Sequence, residues 1–164
     1  MPKVYLETTL FYFYFADTGS PFYGKTVDYW QDTRRFFDAV RNGYFEPYTS
    51  IYVIQELRKT GNATQKDSMM KLIEDFGVVV LQPDRMVKRL AWLYISGGAV
   101  PETQLLDAYH IAATAVHGLD LIVSLNFRHI VNEKAGRIIA EINADEGLDA
   151  IEILEPGEVL NEWT

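Results

Sequence analysis

The sequence predicts a three-layer α/β/α domain with a mostly parallel central sheet, spanning residues 1–164 as one unit. Three observations predict it. Short β-rich runs alternate with amphipathic helical runs, and strands separated by helices pair in parallel beneath two helical layers. Apolar residues make up 48% of the chain and charged residues 23%, the balance of a folded rather than a disordered polypeptide. The length, 164 residues, suits one core that buries about two-thirds of the unfolded surface.

The elements follow in order. Lys3 to Thr8 reads as a buried first strand. Phe11 to Phe15 is ambiguous: its aromatics favour a strand, yet the run fits one or two helical turns. Thr18-Gly19-Ser20-Pro21 and Gly24 mark a loop. Trp30, Phe36, Phe37 and Val40 fall at helical spacing, and Asn42-Gly43 ends that helix. Phe45 to Thr49 reads as a second strand, with Ser50 capping a helix that carries Glu56. Gly61-Asn62 breaks this helix. Met69, Met70, Leu72, Ile73 and Phe76 form the face of another, stopped by Gly77.

Val78 to Leu81 reads as a third strand. Pro83 fits the first position of a helix that ends at Gly97-Gly98. Pro101 starts a helix running to about His117, with Gly118 as its stop. Leu121 to Ser124 is a fourth strand, Glu133 to Asn143 a helix, and Ile151 to Leu154 a short fifth strand before Pro156. The acidic tail (Asp145, Glu146, Asp149, Glu152, Glu155, Glu158, Glu162) reads as solvated surface.

Composition excludes several classes of function. The chain has no cysteine, so disulfide frameworks, thiolate zinc sites and cysteine nucleophiles are out, which fits a reducing cytoplasm. The formal net charge of −8 argues against broad charge-driven nucleic-acid binding. A small basic surface, bound divalent ions or a basic partner can coexist with it. No signal-like leader opens the sequence, and no apolar stretch approaches the roughly 20 residues of a membrane helix. None of the 11 glycines forms a G-x-G-x-x-G dinucleotide fingerprint. There is no P-loop, no G-x-S-x-G elbow and no H-E-x-x-H. His110, His117 and His129 lack zinc spacing.

Carboxylate chemistry remains. Glu7 closes the first strand, Glu56 lies about two helical turns beyond the second, Asp107 opens the run Asp107 to Ala113, and Asn126 follows the fourth strand. In an open parallel sheet the strands' carboxyl ends share one edge, where ligands bind. Acidic groups gathered there repel unless a cation holds them, so the pattern predicts a metal site. Each residue has a plainer reading. Glu7 fits a helix-capping carboxylate, and Glu56 a solvated helix residue. His110 fits a core histidine bonded to backbone. Tyr12, Tyr14, Phe22 and Tyr23 fit core or interface aromatics rather than base-stacking ones.

Four segments carry a family resemblance. Val4-Tyr5-Leu6-Glu7-Thr8-Thr9 resembles the first strand and acidic turn of PIN-domain nucleases. Ile54-Gln55-Glu56-Leu57 resembles their second acidic position. Leu106-Asp107-Ala108-Tyr109-His110-Ile111-Ala112 resembles their D-A-x-H-I-A segment, and Ser124-Leu125-Asn126-Phe127-Arg128-His129-Ile130 their S-W-[DN]-F-x-H-I segment. The small size is similar to the VapC-type toxins of prokaryotic toxin–antitoxin pairs. Position 7 is Glu where most members carry Asp, and position 126 is Asn where many carry Asp. Both variants resemble a subgroup with E-T-[ST] and W-N segments.

The resemblance implies a PIN-like fold and a Mg²⁺- or Mn²⁺-dependent endoribonuclease. It also implies an RNA substrate, an antitoxin partner and frequent pairing with a second copy. Catalytic positions would be Glu7, Glu56, Asp107 and Asn126. Mg²⁺ takes one or two direct carboxylates and keeps several waters. Glu7 and Asp107 are therefore the expected ligand pair, with Glu56 acting through water or on a second ion. From their chemistry, Thr8, Thr9 and Ser124 would orient carboxylates, and Arg128 fits a substrate-phosphate contact and a surface ion pair equally well. The alternative that the two departures motivate is a PIN-like module that binds RNA or protein without cutting.

Overall fold

The computed structural model describes residues 1–16, 23–127 and 132–164, with residues 23–27 described in backbone only. Five strands form one sheet: β1 (Lys3–Leu6), β2 (Glu46–Ser50), β3 (Val79–Leu81), β4 (Leu121–Val123) and β5 (Glu152–Leu154). Their spatial order is β3-β2-β1-β4-β5, with every pairing parallel. The fold is therefore α/β, and its sheet is fully rather than mostly parallel.

Eight α-helices appear among the described residues: α1 (Thr8–Tyr14), α2 (Tyr23–Arg41), α3 (Ile51–Arg58), α4 (Ala63–Asp75), α5 (Arg85–Ser96), α6 (Leu105–Val116), α7 (Glu133–Asp145) and α8 (Pro156–Trp163). A short 3₁₀ turn, Glu102–Gln104, leads into α6. Helices α1 to α4 and α8 touch one another as one layer, and α5, α6 and α7 as the other. Helix α3 also meets α6, and that junction builds the site.

Hydrophobic pattern explains the centre. Val4, Tyr5 and Leu6 of β1 and Leu121, Ile122 and Val123 of β4 are all fully buried. Central parallel strands, covered on both faces, are apolar without alternation. The chain turns one way from β1 to β2 and β3, and the other way to β4 and β5. The crevice beyond β1 and β4 is thus the switch point of the sheet.

Several expectations need correction. The first strand ends at Leu6, and Thr8 already belongs to α1. The aromatic run is helical because Glu7 caps α1, its side chain accepting from the Thr9 N–H, while Leu10, Phe11 and Tyr14 turn toward the core at helical spacing. Gly24 lies inside α2, not in a loop; one helical glycine costs only about 1 kcal/mol, which tertiary packing overrides. Thr18 to Pro21 lie outside the described residues. Pro83 precedes α5 rather than starting it, since Asp84 is the cap. Helix α6 starts at Leu105, with Pro101 capping the 3₁₀ turn before it.

The acidic tail is not simply solvated surface. Pro156 opens α8, Glu155 and Glu158 form a capping box, and Val159 is fully buried. Helix α8 packs on α2, with Gly157 close to the Asp32 side chain. A Cβ at Gly157 would lie 2.7 Å from an Asp32 carboxylate oxygen. Glu146 forms a two-point ion pair with Arg89 at 2.6 and 3.2 Å.

Candidate active site

Glu7 stands where β1 ends, 2% exposed. Three donors converge on its Oε1: the Thr9 N–H at 3.0 Å, the Thr9 hydroxyl, and the Ser124 hydroxyl at 2.7 Å. Those hydroxyls also accept the backbone N–H groups of Leu125 and Asn126, each at 3.0 Å. The Glu7 N–H bonds the Val123 carbonyl at 3.1 Å. The turns after β1 and β4 are thereby stitched through one carboxylate oxygen. Among the described residues nothing hydrogen-bonds Glu7 Oε2.

Glu56 lies in the second turn of α3, which Ser50 caps by accepting from the Tyr52 N–H at 3.2 Å. Its Oε1 accepts from the Thr8 hydroxyl at 2.8 Å and from His110 Nε2 at 2.6 Å. Its Oε2, too, has no hydrogen bond among the described residues. Burial pushes the Glu56 carboxyl up. The hydrogen bond from His110, joined by its charge when the ring is protonated, the Thr8 bond and the nearby Lys59 ammonium outweigh this and hold it below its ordinary value.

Asp107 occupies the first turn of α6 and is 9% exposed. Among the described residues no hydrogen bond reaches its carboxylate. Burial drives its pKa from the ordinary 3.8 up to about 6, and the charges of Glu7 and Glu56 add to the rise, while a protonated His110 opposes it. The three carboxylates therefore share one electrostatic neighbourhood.

The other expected residues divide. Thr8 and Ser124 each donate to a carboxylate, as described. Asn126 is exposed, and its backbone alone is tied to the site, through Ser124. Arg128 and His129 lie outside the described residues, as does Phe22; of Tyr23 only the backbone is described. Tyr12 and Tyr14 are half-buried: Tyr12 bonds Thr60 at 2.6 Å, and the Arg34 guanidinium sits 4.4 Å above the Tyr14 ring. They take the core reading.

His110 departs from its plain reading. It is a fully buried core residue, but it bonds side chains rather than backbone: Tyr5 through Nδ1 and Glu56 through Nε2, each at 2.6 Å. Tyr5 in turn bonds Ser50 Oγ at 2.6 Å. Sequence reasoning counted Tyr5 as strand filler and Ser50 as a cap only. Two signals were available. A tyrosine on a fully buried strand needs a partner for its hydroxyl. His110 lies three residues after Asp107, on the same side of the helix.

Among the described residues no group of three or more His, Asp or Glu side chains is gathered as ready metal ligands. The donor set nonetheless fits a hard cation. Each glutamate has one oxygen held by the protein and one not, and Asp107 is a desolvated carboxylate beside them. Mg²⁺ needs only one or two such carboxylates, completing its shell with water. A separate cavity of about 510 Å³ opens beside the starts of α6 and α7, lined by Gln104, Glu102 and Asn132 among others, and none of the three carboxylates lines it.

No family model matches the chain, and no curated protein matches it.

Proposed function

We propose that this chain is a metal-dependent endoribonuclease, similar to PIN-domain nucleases, and the toxin of a toxin–antitoxin pair acting in the cytoplasm. The observation that carries the reading is the asymmetric clamping of Glu7 and Glu56. Each has Oε1 saturated by protein donors and Oε2 left without one, beside a desolvated Asp107 at the sheet's switch point. RNA as substrate, the antitoxin and a second copy as partners follow from the resemblance of the four segments. Among the described residues no helix is long and apolar enough to cross a membrane.

In this reading Glu7 and Asp107 hold Mg²⁺ or Mn²⁺, and Glu56 completes the site through water. When bound, such a cation supplies Lewis-acid stabilisation of charge on the phosphoryl group. The chain's own residues do the rest. Thr9 and Ser124 fix the aim of Glu7, and Thr8 and His110 fix that of Glu56. Lys59 sets a positive charge near Glu56 in an otherwise acidic chain. Asn126 offers an exposed amide to a phosphate, and Arg128 follows it in sequence.

The test is RNA cleavage by protein purified free of any partner, with Mg²⁺ or Mn²⁺, beside Asp107→Asn. Cleavage that needs the metal and falls more than about a hundredfold in the variant supports the reading, since removing a direct ligand should exceed the 10–100-fold loss typical of outer partners. Equal activity in both proteins, or cleavage that survives EDTA, rejects it. A second reading draws on the exposed Asn126 side chain and on the described residues holding no pre-gathered ligand group. It is a catalytically weak PIN-like module that binds RNA or protein. RNA binding without Mn²⁺ binding or cleavage would select it.

A further inference from the structure

One network in the core reaches the cleft without lining it. It runs Ser50 Oγ to Tyr5 Oη, Tyr5 Oη to His110 Nδ1, and His110 Nε2 to Glu56 Oε1, every step 2.6 Å. Tyr5 and His110 are fully buried and Ser50 is 1% exposed, so no water competes for these groups. An unmade bond here would leave a buried polar group unsatisfied.

Counting hydrogens sets the direction. An ionised Glu56 carboxylate only accepts, so His110 Nε2 carries a proton and donates. If the ring is neutral, Nδ1 accepts, and Tyr5 must donate to it. Ser50 then donates to Tyr5 Oη and accepts the Tyr52 N–H at 3.2 Å. Every hydrogen is placed. The reverse direction needs a cationic ring donating to Tyr5 and Tyr5 donating to Ser50, which leaves the buried Ser50 hydrogen with no acceptor among the described residues. Full satisfaction selects the forward direction.

Geometry supplies the purpose. Ser50 ends β2 and caps α3, and Glu56 lies within that helix six residues on, about 9 Å of rise away. The chain of bonds leaves the start of α3, crosses β1 at Tyr5 and α6 at His110, and returns to α3 at Glu56. It ties three elements into a closed ring. Bonds at both ring nitrogens forbid a flip of the imidazole, which would put carbons in their places. Phe127, 6.4 Å from the His110 ring centroid, packs against it.

We infer that Ser50, Tyr5 and His110 form a positioning chain, with the His110 proton fixed on Nε2, that holds Glu56 Oε1 and so aims Oε2 at the cleft. This deepens the metal-site reading and rests on it. None of the three residues touches substrate or cation; each acts through Glu56. Outer partners of ligating carboxylates commonly contribute 10–100-fold in metal affinity.

The test has two readouts. Nitrogen-15 NMR of the metal-free protein reads the His110 proton directly. The expected spectrum has Nε2 protonated and Nδ1 as a hydrogen-bonded acceptor, with Nδ1 moving toward a free acceptor in Tyr5→Phe. A proton on Nδ1 in the wild type overturns the proposal. Calorimetry with Mn²⁺ gives the second readout. Tyr5→Phe should weaken binding about tenfold or more and His110→Ala further. His110→Gln, which keeps one acceptor and one donor, should recover most of the loss. Tyr5→Phe that folds and binds Mn²⁺ like the wild type overturns the proposal. If Tyr5→Phe does not fold, the contrast between His110→Ala and His110→Gln decides, and equal affinities overturn it. A wild type that binds no Mn²⁺ sinks the metal reading alone, and the nitrogen spectrum still judges the chain.

Discussion

Glu56 and Asp107 are both acidic and feel each other's charge, yet their environments push them in opposite directions. Glu56 receives two short hydrogen bonds and stays ionised below its usual range. Asp107 receives none among the described residues, and burial lifts it to about 6. Burial penalises charge on both, and donors decide which of the two is compensated. A fold that leaves one carboxylate uncompensated beside two that are held in place has stored electrostatic cost there, which a bound proton or a bound cation relieves. Groups whose environments push their pKa values apart mark functional sites more often than structural ones.

The largest expected effect breaks the comparison outright. Asp107→Asn removes the uncompensated member, and cleavage should fall more than about a hundredfold, as measured in the RNA assay. The same variant should help the metal-free fold. The unfolded Asp107 titrates near 3.8 and the native one near 6, so the native state holds the proton longer. In EDTA, wild-type stability should fall as pH rises from about 4 to about 6 and then level off. The loss is on the order of 3 kcal/mol. Thermal melts at pH 5 and 8 should therefore differ, and Asp107→Asn should flatten that difference. Unchanged pH dependence in the variant would remove Asp107 from the argument. Glu56 has the opposite sign: its contribution is present above the ordinary carboxylate range and is lost as pH falls below it.

A smaller effect sharpens the other side. Ser124→Ala takes one of three donors from Glu7 Oε1 and leaves the two from Thr9. Mn²⁺ affinity should drop about tenfold, with the circular-dichroism spectrum unchanged; affinity equal to wild type would show that aiming Glu7 does not matter. The zero point is Arg89→Ala. It breaks an exposed ion pair with Glu146 in which none of the three carboxylates takes part, and Mn²⁺ affinity and cleavage should both stay at wild-type levels.

How much of this was legible depended on which residues carried local signals. Sheet and helices were readable because apolar runs, Gly stops and the Ser50 cap are local. Helix α8 was missed although Glu155-Pro156-Gly157-Glu158 carries both a proline at the first helical position and a capping box; its acidic character drew the reading toward solvent. The acidic positions were readable from their placement after strands. What they bond was not. The Glu7–Ser124 bond spans 117 positions and Tyr5–His110 spans 105, so no window of sequence contains both partners. The doubly bonded state of His110 is a tertiary fact, and reading it as a backbone-bonded core histidine was the default that tertiary packing overrode.

The long separation of Glu7 from Ser124 has a consequence during synthesis. At about 5–20 residues per second, the ribosome makes Ser124 roughly six to twenty-three seconds after Glu7. Until β4 emerges and docks beside β1, the first carboxylate lacks one clamp and half its crevice. A nascent chain therefore lacks the full set of clamped carboxylates for most of its translation, and any activity that depends on that set arises only late in synthesis.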